Sequence, residues 1–79
     1  MKDVPLRQDV RMDEIEVGPD GIRLGQLLKL SGIADSGGRA KELLAARLVR
    51  VNGTVTTQRG AQLRPGDVVT CTGAEVRLT

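Results

Sequence analysis

The sequence predicts an α+β domain in which two short packed helices lie against a small, mostly antiparallel sheet of four to five strands. Two observations lead to this class. Two consecutive segments in the first half carry apolar residues at the i, i+3, i+4 spacing of one helical face, whereas apolar and polar residues alternate in the second half. A strand, two helices and then a run of strands is the order of an α+β fold.

The chain begins with a charged segment that shows no apolar period. Residues 1–12 contain Pro5 and several charges, so we expect a flexible lead-in, followed by a single domain over residues 13–79. Asp13–Val17 alternates polar and apolar residues and is predicted to be the first strand. Pro, Asp and Gly within residues 18–21 predict a turn after this strand.

Two short helices are predicted in the middle of the chain. Ser31-Gly32 ends the first helix, and Asp35-Ser36 offers side-chain oxygens as the N-cap of the second. The apolar stripes consist of Leu24, Leu27 and Leu28 in the first helix, and of Ala40, Leu43 and Leu44 in the second. Because each stripe needs a partner that buries it, we expect the two helices to pack against each other.

A hairpin is predicted directly after the second helix. Val49 and Val51 point to one side of a strand and Arg50 to the other, because side chains alternate along a strand. Asn52-Gly53 follows, and this dipeptide suits the two positive φ angles of a type I′ turn. Thr54–Thr57 is the expected returning strand.

The end of the chain predicts two more strands. Pro65-Gly66 fits the central positions of a type II turn. The strands are expected at Asp67–Thr72 and Glu75–Thr79, separated by Gly73-Ala74. Cys71 lies within the first of them, where a buried and inert thiol is expected.

The composition excludes most enzyme classes. The chain has no histidine, no aromatic residue and one cysteine, so it lacks the commonest general base and the commonest metal ligand. Asp35, Ser36 and Asp67 are the conceivable catalytic groups, and cap or turn duties account for them. We therefore predict no catalysis, metal, cofactor or small-molecule substrate. No apolar run approaches the roughly 18 residues of a membrane span, and we expect a cytoplasmic monomer without membrane contact.

Charge is unevenly distributed along the chain. The net charge is +2, but residues 1–21 hold three basic and six acidic side chains, whereas residues 22–79 hold nine basic and four acidic ones. The segment from Arg39 to Arg64 contains six basic residues and one acidic residue, Glu42. A basic concentration of this kind attracts a polyanion.

Several short motifs, read together, resemble a known family. They are Ile22-Arg-Leu24, Ser36, Ala40-Lys41, Val49-Arg-Val-Asn-Gly53 and Arg64-Pro-Gly-Asp-Val68. Their order and spacing resemble the S-four RNA-binding domain (S4 domain), also called the αL RNA-binding fold, with a core motif over residues 22–69. The stretch 36–41 and Gln58-Arg-Gly60 look most like the branch in which the domain stands alone as a short bacterial protein.

The start of the second helix is a candidate phosphate site. A helix N-terminus presents unpaired N–H groups and the positive end of the helix dipole, which favour an anion. Gly37 and Gly38 have no side chain to hold a phosphate away, and Arg39 and Lys41 supply charge within the first turns. These four residues are predicted to bind RNA.

Five further basic residues are candidates for the same surface. The resemblance implies that Arg59 and Arg64, in the loop before Pro65, extend the RNA surface. Arg50 is exposed by the strand that buries its neighbours, and Lys29 is a peripheral candidate late in the first helix. Arg47 stands where the family usually has glycine, so either the helix ends differently here or Arg47 adopts a left-handed conformation.

The sequence thus predicts a protein that recognises structured RNA, ribosomal or transfer RNA, through a basic face and a helix N-terminus, in a role associated with the ribosome or RNA metabolism. The absence of aromatic rings disfavours recognition of unstacked single-strand bases and favours shape and phosphates. The alternative is a protein-interaction module whose basic face docks an acidic partner. The acidic balance of residues 1–21 and the neutral Gln58 and Gln62, where relatives often carry Arg or Lys, favour this second interpretation.

Overall fold

The computed structural model describes residues 11–79, with side chains from Asp13 onward. The predicted flexible lead-in therefore lies, for residues 1–10, outside the described part of the chain. In chain order the elements are β1 (Arg11–Ile15), β2 (Ile22–Arg23), α1 (Leu24–Leu30), α2 (Gly37–Ala45), β3 (Val49–Val51), β4 (Thr54–Val55), β5 (Gln62–Leu63), β6 (Val68–Cys71) and β7 (Ala74–Leu78). The predicted α+β class and element order are confirmed.

The main sheet has five strands in the order β1-β7-β6-β3-β4, and β2 and β5 form a separate two-stranded sheet. All pairs are antiparallel except β1 with β7, which run parallel. The mostly antiparallel sheet of four to five strands is thus confirmed. The small β2–β5 sheet was not predicted, because two strands of two residues each carry no alternation that a sequence pattern could reveal.

Four predicted strands and one turn needed correction, and two of these strands are β6 and β7, which run over Val68–Cys71 and Ala74–Leu78 instead of Asp67–Thr72 and Glu75–Thr79. The first strand begins at Arg11 and ends at Ile15, not at Asp13 and Val17. The returning strand of the hairpin ends at Val55 instead of Thr57. The last turn is Thr72-Gly73, not Gly73-Ala74: both residues have positive φ, 45° and 86°, and Cys71 pairs with Ala74. Threonine rarely adopts positive φ. The prediction therefore took Gly73 as the first residue of the turn, whereas it is the second.

The other predicted turns have the expected conformations. Asn52 and Gly53 have φ of 52° and 85°, as a type I′ turn requires. Gly66 has φ of 101° and the N–H of Asp67 donates to the carbonyl of Arg64, which fits the type II turn. At the first turn, the N–H of Gly21 donates to the carbonyl of Gly18. Asn-Gly and Pro-Gly therefore fix the connections that align β3, β4 and β6.

The core lies between the two helices and the inner faces of both sheets. Its largest fully buried side chains are Leu24, Leu27, Leu28, Leu44, Leu63, Leu78, Val49, Val69 and Val76. Both predicted helical stripes are buried, and so is Cys71, as expected. Leu63 of the small sheet belongs to this core, so the loop before it is held against the helices.

Candidate nucleic-acid interface

The loop at residues 59–61 closes over the beginning of α1. The backbone N–H of Leu24 donates to the carbonyl of Ala61 at 2.9 Å, and that of Gly25 donates to the carbonyl of Arg59 at 2.8 Å. These bonds satisfy two of the N–H groups that a helix leaves unpaired at its start. A Cβ on Gly25 would lie 3.1 Å from Cβ of Arg59, so glycine permits this close approach. Arg59 is therefore fixed beside α1.

The start of α2 is open to solvent. Ser36 is the N-cap, and its hydroxyl oxygen accepts a hydrogen bond of 3.1 Å from the N–H of Arg39. A Cβ on Gly37 would meet no atom within 4 Å. The first N–H groups of α2 therefore face a surface that no side chain of Gly37 or Gly38 obstructs.

A groove separates the exposed side of α1 from the start of α2 and the loop at residues 59–60. We call it the α1–α2 groove; its volume is about 460 Å³. It is lined by Arg23, Gly25, Gln26, Lys29, Gly37, Ala40, Arg59 and Gly60. Three of these side chains are cationic and none is acidic. Within residues 13–79, Arg23, Lys29 and Arg59 form no ion pair, so their charges are available to an anionic ligand.

A smaller cleft of about 310 Å³ adjoins this groove through Arg59. Lys41, Leu44, Ala45 and Thr57 line the rest of it. Lys41 and Arg59, which are far apart in the sequence, thus border one continuous basic surface. Three residues predicted from the sequence, Lys29, Gly37 and Arg59, meet in the groove, and Lys41 lies beside it.

The S4 domain family matches residues 15–79. The chain belongs to this family. A relative from Bacillus subtilis (strain 168), named "Probable ribosome maturation protein RlbA", is 42% identical to this S4 domain over 59 residues, which are 75% of this chain and 83% of the relative. The solution structure of YbcJ from E. coli, described as revealing an αL motif involved in RNA binding, matches with a TM-score of 0.64 and 26% identity over 100% of this chain and 99% of YbcJ. The resemblance inferred from the motifs is confirmed.

Six of the nine predicted residues of this S4 domain lie outside the groove: Lys41, which lines the adjoining cleft, and Gly38, Arg39, Arg47, Arg50 and Arg64. Arg39 forms an exposed ion pair with Glu42 at 3.2 Å, and Gly38 does not line the groove. Arg47 and Arg50 line a different cleft of about 350 Å³, together with Leu48 and residues 70–75. The sequence therefore identified a longer basic stripe than any one cleft contains, because α2 and β3 turn their basic residues to different sides.

Arg64 stands apart from all of these clefts, in the turn before β6. Its backbone N–H donates to Oδ2 of Asp67 at 2.8 Å, while its side chain is exposed. The N–H bond and a side-chain bond from Asn52 lower the pKa of Asp67, and the charge of Arg64 lowers it further. The turn thus fixes the backbone of Arg64. Arg64 lines neither the groove nor the adjoining cleft.

The backbone conformation of Arg47 shows which of the two predicted alternatives applies at the end of α2. Its φ is 61°, in the left-handed region, and its N–H donates to the carbonyl of Leu44. The N–H of Leu48 donates to the carbonyl of Leu43. These two bonds form a Schellman motif, which favours glycine at the position that Arg47 occupies. The helix therefore ends as in the family pattern, with Arg47 in a conformation that favours glycine.

Two side chains of the groove were missed by sequence reasoning. Arg23 belongs to the Ile22-Arg-Leu24 motif, but its position before the helix gave no sign that it faces α2. Gln26 and Lys29 are three residues apart and follow the spacing of one helical face, opposite the buried stripe. That spacing was the available signal for Gln26.

Residues 13–79 contain no cluster of three His, Cys, Asp or Glu side chains able to hold a metal ion. Within the described part of the chain no helix is long and apolar enough to cross a membrane.

Proposed function

We propose that this protein binds structured RNA, of the ribosomal or transfer class, with the α1–α2 groove and the adjoining Lys41 cleft as its contact surface. The observation that carries the proposal is the convergence of Arg23, Lys29 and Arg59 on one groove without an acidic neighbour. Unpaired cations around a groove bind phosphates and release condensed counterions, which supplies affinity without sequence reading.

Family membership supports this function. The αL motif of YbcJ is described as involved in RNA binding, and the relative from Bacillus subtilis is named a ribosome maturation protein. We accordingly propose a ribosome-associated role for this chain, performed in the cytoplasm by the monomer. Ribosomal RNA offers the helix junctions and folded segments that a basic groove can recognise by shape.

The proposed function is binding of RNA without catalysis of a reaction. Ser36 is engaged as the N-cap of α2, and the carboxylate of Asp67 is engaged by Asn52 and the Arg64 backbone. Both groups have structural duties that account for their positions. No further chemistry is needed to explain the polar residues of the groove.

The cleft lined by Arg47 and Arg50 favours a different function, the docking of an acidic protein. Leu48 is 45% exposed beside Arg47 and Arg50, and Val55, paired with Arg50 across β3 and β4, is 38% exposed. Arginine is enriched at protein interfaces, and the buried centre of such interfaces is more apolar than the rest of the surface. This function predicts association with a partner protein that survives nuclease treatment, whereas RNA-mediated association does not survive it.

Titration of the purified, nuclease-treated protein into structured ribosomal RNA fragments at several salt concentrations tests the proposal. If Arg23, Lys29, Lys41 and Arg59 each neutralise one phosphate, log affinity should fall with log salt at a slope of about −3 to −4. A slope near zero, or no binding at low salt, would reject the electrostatic mechanism.

A further inference from the structure

The α1–α2 groove contains one neutral polar side chain, Gln26, among the residues that line it. The amide group of Gln26 is both a donor and an acceptor, whereas the groove's arginines and lysine only donate. The side-chain amide of Gln26 forms no hydrogen bond to residues 13–79. Phosphate oxygens only accept hydrogen bonds, so the acceptor oxygen of the Gln26 amide would have no partner in a groove that binds phosphate alone. The edge of a nucleobase offers both donors and acceptors.

The size of the groove also exceeds what a phosphate needs. Its volume of about 460 Å³ lies in the range of clefts that hold small organic ligands, roughly 300–1,000 Å³. Gly37 and Gly60 leave space at two sides, since a Cβ on either would meet no atom within 4 Å. An RNA duplex is too wide to enter such a cleft. One nucleotide that has left its helix is small enough.

The groove offers a surface on which a base could stack. The chain has no aromatic residue, but arginine guanidinium planes also stack on unpaired bases. Arg23 and Arg59 both line the groove, and backbone bonds of Leu24 and Gly25 to the loop hold the two segments together. A base stacked on an arginine plane would bring its edge toward a hydrogen-bonding side chain of the same cleft.

We propose that the α1–α2 groove accepts one unpaired nucleotide that bulges from an RNA helix, with Gln26 contacting the base edge and the groove's cations contacting the flanking phosphates. This inference rests on the proposed RNA binding and names the feature of the RNA that the site selects. Gln26 then determines specificity, whereas Arg23, Lys29 and Arg59 supply affinity.

Three RNA hairpins of identical sequence elsewhere test the inference: one fully paired, one with a single bulged adenosine, and one with an abasic nucleotide in the bulge. At fixed salt we expect the adenosine bulge to bind at least about tenfold more tightly than the other two, as expected for loss of a good amide contact to a base. The abasic hairpin separates base recognition from the altered backbone shape.

Gln26→Ala is expected to reduce the preference for the bulged adenosine over the abasic bulge to the part that stacking on arginine supplies, and an unchanged preference would contradict the role of Gln26. Gln58→Ala is the matched control, because Gln58 is also exposed but does not line the groove. Equal wild-type affinity for the adenosine and abasic bulges, with a steep salt dependence, would overturn this inference alone. Absence of binding to all three hairpins would overturn the proposed function together with it.

Discussion

The side-chain nitrogen Nδ2 of Asn52 donates a hydrogen bond of 3.0 Å to Oδ1 of Asp67, fifteen positions away in the sequence. The second carboxylate oxygen of Asp67 accepts from the N–H of Arg64, and Oδ1 of Asn52 accepts from the N–H of Val68 at 2.9 Å. These bonds join the β3–β4 turn to the Pro65-Gly66 turn. They also hold the pKa of Asp67 below its usual 3.8, with the Arg64 backbone bond as the largest cause.

The link between Asn52 and Asp67 predicts sensitivity to acid. Because the folded pKa of Asp67 is lowered, its contribution to stability is present above the unfolded pKa and is lost as the pH falls through the folded value. At neutral pH we expect Asp67→Asn to lower the free energy of unfolding by about 1 kcal/mol, since the new amide group cannot accept both bonds. Urea unfolding from pH 7 to pH 2 should show the wild type losing its advantage below about pH 4.

Glu75→Gln is the control for the acid prediction. It also neutralises a carboxylate on the sheet, but it leaves both hydrogen bonds of the Asp67 carboxylate in place. A difference between wild type and Asp67→Asn that stays constant from pH 7 to pH 2 would contradict the assignment.

Arg47→Gly is expected to raise the free energy of unfolding by up to about 1 kcal/mol, because glycine adopts the left-handed conformation at φ of 61° without the Cβ strain. Arg47→Ala removes the same charge but keeps the Cβ, so it should give no such gain. Thermal melts of both variants check the prediction, and a lower melting temperature for Arg47→Gly would contradict it. Loss of RNA affinity in both variants would add the cleft lined by Arg47 and Arg50 to the RNA surface.

Arg59→Ala is expected to weaken RNA binding by about tenfold and to reduce the salt slope by about 1, since one phosphate contact is lost. Arg77→Ala removes the same charge from β7, where Asp13, Glu14 and Glu75 line the surrounding cleft, and should leave affinity nearly unchanged. Equal losses in the two variants would indicate a response to net charge and would contradict a localised groove.

Substitution by alanine should have different effects on stability at two glycines, Gly21 and Gly37. Gly21 has φ of 77°, and a Cβ there would collide with the carbonyl oxygen of Leu63, so Gly21→Ala should cost at least about 2 kcal/mol of stability. Gly37 starts α2 in open space, and Gly37→Ala should be neutral or stabilise by up to about 1 kcal/mol. Denaturant midpoints check both, and a stable Gly21→Ala would show that the small sheet can shift.

Local chemistry in the sequence was enough to predict both helices, the Ser36 cap and the Asn52-Gly53 and Pro65-Gly66 turns. Each of these features depends on side chains within a few residues of one another, and their spacing reports directly on burial or on backbone conformation. The charge distribution likewise predicted a polyanion ligand. Lys29, Gly37 and Arg59 were among the candidates named from the sequence, from helix position, the helix start and the family resemblance respectively, but nothing in the sequence separated them from Arg47 and Arg50.

The tertiary structure alone decided the parallel pairing of β1 with β7, the small β2–β5 sheet and the α1–α2 groove. Each joins segments separated by about 35 to 60 residues, and no local pattern encodes which distant backbone groups will pair. Arg23 and Gln26 line the groove because the loop carrying Arg59 packs against the start of α1. Local sequence patterns therefore specify which elements form and what charge they carry, whereas burial of the shared core selects which of those charges lie side by side.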